Sequence, residues 1–187
     1  MHCPHPCWYA YMQVKGNHKT RMPPEFLQFM KDIHAMCQQN RNAIVGWGFS
    51  RGGRWLEELV REHSLYVDVA FVIAGYPPSK GEWEQTNAAK ELMAVKSTIV
   101  VMLHFAADFW CNASVYPHWF LQFELAMAKT DADRPSGFFS YILPGAHDAG
   151  HRVWSTWSCD VPRQMLDWKT LFEQIWFRAE NKHKLSQ

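Results

Sequence analysis

A chain of 187 residues, 48% hydrophobic and 20% charged with a formal net charge of +1, fits one folded domain with a substantial core. The balanced charge excludes both the basic footprint of a nucleic-acid binder and the charge excess of a disordered chain. No apolar run reaches the ~20 residues of a membrane-spanning helix, and the opening MHCPHPCWYAYM lacks the basic and apolar regions of a secretory signal.

The five cysteines are odd in number and scattered, which points to free thiols in a reducing, cytoplasmic compartment. His2, Cys3, His5 and Cys7 lack the spacing of an ordinary zinc site, so residues 1–22 read as an irregular N-terminus and no metal is expected. Residues 23–182 read as the core of a single domain.

Pro23-Pro24 opens PPEFLQFMKDIHAMCQQN, which places Phe26, Phe29, Met30, Ile33 and Cys37 on one face of a helix. Ala43 to Gly48 follows as a buried strand. RGGRWLEELVREH is then a helix with Trp55, Leu56, Leu59 and Val60 inward. YVDVAFVIAG is a continuous apolar run, hence a strand buried on both faces, with Asp68 placed to hydrogen-bond at its entry. EQTNAAKELMAVK is helical, STIVVMLH a further buried strand, WFLQFELAMAK a helix and FFSYILP a strand. MLDWKTLFEQIWFRAENKH closes the chain as an amphipathic helix, and WYAYMQV near the start adds the remains of one earlier strand. Alternating helices and buried strands predict an α/β fold: a parallel sheet of about five strands with helices on both faces.

Ligands of a parallel sheet bind beyond the carboxyl ends of its strands. GWGFSRGG puts Ser50 at one such end, between a strand and a helix. Glycine at Gly48 and Gly52 is expected to clear the crossing of strand and helix, so Gly52→Val should disrupt the turn. The following helix offers the Arg51 backbone N–H to an oxyanion formed at Ser50. A serine that merely caps the helix is the plainer alternative.

With this G-x-S-x-G turn between strand and helix, the chain resembles the α/β-hydrolase superfamily, in particular its carboxylesterase, thioesterase and peptidase-like members. The resemblance covers roughly Pro24 to Lys182, the second half of that architecture, as in a truncated hydrolase-like sheet. It implies a serine nucleophile, an acid and a histidine in that order. In HFAADFWCNASVYP, the segment after the third strand, Asp108 takes the acid position and Val115-Tyr116-Pro117 the turn before a helix. Phe105 stands where the family has glycine after the histidine. A solvated loop carboxylate is the plainer reading of Asp108. GAHDAGHRVW supplies the imidazole: His151, three residues before Trp154, is the expected base, and His147 is the alternative. His104 is expected to be a partly buried structural residue. Trp110, Tyr116, Trp119, Trp154 and Trp157 either wall an apolar pocket or belong to the core.

The family's early oxyanion loop has no counterpart here. With one N–H donor in place of two, the rate would fall on the order of 10²–10³. The implied activity is cleavage of a small ester or thioester without a cofactor, and an uncovered sheet edge would let two copies pair. A non-catalytic hydrolase-fold binding protein, a fragment of a longer hydrolase, and a phosphate site at the GFSRGG helix are the competing readings.

Overall fold

The computed structural model describes residues 21–40, 43–129 and 137–143. In chain order these form α1 (Pro24–Asn40), β1 (Val45–Phe49), α2 (Arg51–His63), a 3-10 turn (Ser64–Tyr66), β2 (Val69–Ile73), α3 (Glu82–Ala94), β3 (Ile99–Phe105), α4 (Pro117–Met127) and β4 (Phe138–Leu143). The strands make one all-parallel sheet in the order β1-β2-β3-β4. The described residues therefore hold four strands, and WYAYMQV, proposed as a fifth, lies outside them, as does the final helix.

The sequence of β2 and β3 explains their place. Both are uninterrupted apolar runs, and every residue of each is buried, as required of central strands covered on both faces. Alternate side chains divide between two clusters. Ala70, Val72, Val100 and Met102 point to the face carrying Leu56, Leu59 and Val60 of α2, Ala88, Ala89 and Leu92 of α3, and Trp119, Phe120 and Phe123 of α4. Met30 of α1 joins the same cluster, with Phe26, Phe29, Ile33 and Cys37 packed against it. Val69, Phe71, Ile73, Ile99, Val101, Leu103 and Phe139 form the other face.

All four described helices pack on the first face and none contributes to the second cluster, while the final helix of the sequence reading lies outside the described residues. The reason is topological. Parallel crossovers are right-handed, so helices change face only where the strand order reverses direction. The order β1-β2-β3-β4 never reverses. At the head of that order, Val45 and Trp47 of β1 keep 57% and 44% of their surface exposed.

Entry to β2 is fixed as the sequence suggested, by the Ile44 N–H donating to Asp68 Oδ2 at 2.8 Å. No described helix is long and apolar enough to cross a membrane.

The complete burial of an acidic side chain within α2 was not anticipated. Glu57 on α2 is fully buried, and its Oε1 accepts from Arg61 Nε at 2.9 Å, while Arg61 Nη1 reaches Glu91 of α3 at 2.9 Å. Oε2 of Glu57 has no hydrogen-bond partner. Burial pushes the Glu57 carboxyl up to about 8, against the opposing charge and hydrogen bond of Arg61. A carboxyl raised in the folded state contributes fully below its ordinary range, near pH 4.5, and that contribution is lost as pH rises through about 8. Glu57→Gln keeps an acceptor for Arg61 and removes the titration. The variant should match the wild type near pH 4.5 and exceed it at pH 9 in thermal melts, by roughly 4–8 °C if the relieved penalty is about 2 kcal/mol. A wild type more stable than the variant at pH 9 would contradict this reading of Glu57.

Candidate active site

Ser50 occupies the single residue between β1 and α2, with φ 54° and ψ −114°. A positive φ on a residue carrying a Cβ is strained, of order 1–3 kcal/mol, and persists only where the surroundings impose it. Its main chain is held on both sides: the Ser50 N–H donates to the Ile73 carbonyl at 2.8 Å, and its carbonyl accepts from Arg54 N–H at 3.0 Å. Ser50 is the N-cap residue of α2 by position and through its carbonyl, but its hydroxyl makes no capping hydrogen bond to the helix. Arg51 is the first residue of α2, and Arg54 N–H is the first amide to bond back into the turn. The Arg51 N–H therefore belongs to the opening amides of the helix, which have no acceptor within it.

What imposes the strain is the close crossing of β1 and α2. A Cβ on Gly48 would collide with the Gly52 carbonyl, 2.7 Å from its carbon, and would lie 2.9 Å from Gly53 Cα. A Cβ on Gly53 would lie 2.9 Å from the Ile73 oxygen and 3.0 Å from the Gly48 oxygen. By contrast, a Cβ on Gly52 meets nothing within 4 Å. The assignment of clearance to Gly52 is thus corrected: Gly48 and Gly53 are the two that cannot carry a side chain. Gly52 sits in the first turn of α2 with its Cβ direction open.

Asp108 follows β3 by a turn in which its N–H donates to the Phe105 carbonyl at 3.1 Å. Its side chain is completely buried, which overturns the reading of a solvated loop carboxylate. Oδ1 accepts from the Trp110 N–H at 2.9 Å and the Cys111 N–H at 3.1 Å, and Asn112 Nδ2 donates to the Asp108 carbonyl. Two backbone donors on one oxygen fix the orientation of the carboxyl. Phe105, in the place of the expected glycine, is buried at the end of β3 and does not prevent this turn.

Ser50 and Asp108 thus lie at the same end of the sheet, beyond β1 and β3, which are in register through Phe49, Ile73 and Leu103. One strand separates them, so their strand axes are about 10 Å apart. Both candidate bases, His151 and His147, lie outside the described residues, as do Trp154 and Trp157. Of the other aromatic residues, Trp119 and Tyr116 are core, while Trp110 is 63% exposed beside Asp108 and pairs with Phe109, ring centroids 5.2 Å apart.

The strain at Ala74 and the contact of Arg54 with Tyr76 were not singled out from the sequence, and His104 is more deeply buried than expected. Ala74, at the end of β2, also has a positive φ of 48°, and its N–H donates to the Leu103 carbonyl. The guanidinium of Arg54 stands 5.5 Å from the ring centroid of Tyr76, which stacks on Tyr116 at 6.1 Å. Burial pushes the Tyr116 phenol up to about 12. His104 is completely buried against Phe120, and burial lowers it to about 4, against the pull of Asp108, so it is a neutral imidazole. Among the described residues, no cluster of three or more His, Cys, Asp or Glu could hold a metal. No family model and no curated protein sequence matches this chain.

The crossing makes a direct prediction. Gly48→Ala and Gly53→Ala should each lower the thermal midpoint sharply or abolish folding. Gly52→Ala should be neutral or stabilising by up to about 1 kcal/mol, since alanine favours a helix over glycine. Equal damage from Gly52→Ala in the same melts would mean that the turn is not packed as described.

Proposed function

We propose that this chain is a serine hydrolase that cleaves an ester or thioester through an acyl-enzyme on Ser50. The observation that carries the reading is the strained main chain of Ser50, φ 54° and ψ −114°, on a strand-to-helix turn whose hydroxyl is not used to cap the helix. Strain of this kind serves to present a side chain at a sheet end, next to helix amides. The buried Asp108, oriented by two backbone amides at the same sheet end, supports it. The competing phosphate site at the α2 N-terminus leaves the placement of Asp108 without a role.

In this mechanism Ser50 Oγ attacks the acyl carbon while the imidazole of His151 takes its proton, and Asp108 holds the resulting imidazolium. The carbonyl π pair moves onto oxygen, and the Arg51 N–H donates to that oxyanion. Collapse breaks the bond to the alcohol or thiol, which leaves with the proton from His151. Water then attacks the acyl group by the same route, and Ser50 is restored. Every step is proton transfer and acyl transfer, for which no cofactor is needed. His147 is the alternative base. With a single named oxyanion donor, turnover is expected to be slow. The substrate is a small ester or acyl compound, and the exposed Val45 and Trp47 would allow two copies to associate along β1.

A fluorophosphonate probe tests the assignment. The wild type should be labelled on Ser50, and Ser50→Ala and His151→Ala should both lose labelling while keeping the wild-type melt, because an unassisted hydroxyl is a weak nucleophile. His147→Ala should keep most of it. A folded wild type that resists the probe would leave the non-catalytic binding reading, and labelling that survives His151→Ala but not His147→Ala would move the base to His147.

A further inference from the structure

Beyond the last ladder pair of β2 and β3, Ile73 with Leu103, β2 gives way to a loop at once and β3 to a second loop after Phe105. One begins at Ala74-Gly75 and lies against the serine turn: a Cβ on Gly53 would stand 3.3 Å from Gly75 Cα. The other carries Asp108. A cross-tie between them would hold the acid at a fixed distance from the nucleophile.

Cys111 is placed to supply it. Its Sγ lies 2.8 Å from the Gly75 carbonyl oxygen and 3.6 Å from His104 Nδ1, and all of Cys111 and His104 is buried. A carbonyl oxygen only accepts, so the thiol hydrogen belongs on the Gly75 side. The sulfur lone pairs then face His104, which must donate through Nδ1–H. That assigns the tautomer and leaves a bare lone pair, not an N–H, on His104 Nε2, which has no hydrogen-bond partner. Meanwhile the Cys111 N–H donates to Asp108 Oδ1. The path is continuous: His104 to Cys111 to Gly75 on one side, Cys111 to Asp108 on the other, and Gly75 against Gly53 of the serine turn.

We propose that Cys111, oriented by His104, is a positioning residue that latches the acid loop to the serine turn. The thiol is suited to the task because burial keeps it protonated, well above the ordinary range of cysteine. It acts as a donor and an anchor and takes no part in bond making. The latch serves the hydrolase reading above, on which its catalytic consequence rests.

The test compares Cys111→Ala, which removes the donor, with Cys111→Ser, which retains one. Two readouts are taken on the full chain. One is the rate of fluorophosphonate labelling, with kcat and KM for a short p-nitrophenyl ester. The other is amide hydrogen exchange at Trp110 and residue 111, the two donors to Asp108. In Cys111→Ala, labelling and kcat should fall and exchange should rise by about tenfold, the effect of losing one net hydrogen bond. KM should stay near the wild-type value. Cys111→Ser should recover most of each. Wild-type exchange in Cys111→Ala, or equal loss in both variants, would overturn the latch. A wild type that is not labelled would defeat the hydrolase reading instead, and exchange alone would then decide whether the latch holds Asp108.

Discussion

The close approach of β1 and α2 is the constraint from which the site follows. Gly48 and Gly53 touch backbone to backbone, and the chain has one residue, Ser50, in which to turn from strand to helix. No relaxed φ and ψ complete so tight a reversal, so Ser50 takes a conformation that costs of order 1–3 kcal/mol. The cost is offset by the packing that the approach allows. Leu56, Leu59 and Val60 of α2 are buried in the cluster formed with the sheet and Trp55 is buried beside Phe26 of α1, and burying one such side chain contributes roughly 1.5–3 kcal/mol. The sheet-end position of the serine is therefore a consequence of packing, and strain there is maintained by the core.

The same crossing connects the serine turn to its neighbours. Gly53 abuts Gly75, the Ser50 N–H bonds the last residue of β2, and the loop after β2 meets the acid loop at Cys111. The Asp108 carboxyl and the Cys111 thiol are buried and bonded to backbone groups, which suits a fixed geometry. Glu57 is the contrast. Its burial between α2 and the core leaves one oxygen without a hydrogen bond, and the Arg61 bridge to Glu91 offsets part of the desolvation while joining two helices.

Element order was legible in the sequence because buried parallel strands read as unbroken apolar runs, and because α2 repeats its apolar residues at helical spacing. The boundaries moved by only a few residues. Gly52 was assigned a role by its place in a pattern of residues around the serine, yet which glycine meets a backbone depends on the rotation of α2, and this selects Gly53. Strand order is not encoded in hydrophobic periodicity, so the side of the sheet taken by the helices was not legible either. It became determined once the order β1-β2-β3-β4 was known. The burial of Asp108 was equally hidden, since a loop aspartate looks alike in sequence whether solvated or enclosed by the amides of Trp110 and Cys111. The histidine partner rests on sequence and resemblance alone, as His147 and His151 lie outside the described residues.

The central claim is that a strained turn presents Ser50 as a nucleophile to acyl carbon. It is tested most directly by exposing the chain to p-nitrophenyl acetate, quenching in acid within the first turnover, and locating the acetyl group by peptide mass. One acetyl group per chain is expected on the peptide containing Ser50, formed in a burst of p-nitrophenol that exceeds the steady rate. Acetyl groups found only on lysine or cysteine peptides, with Ser50 unmodified in a folded chain, would contradict it.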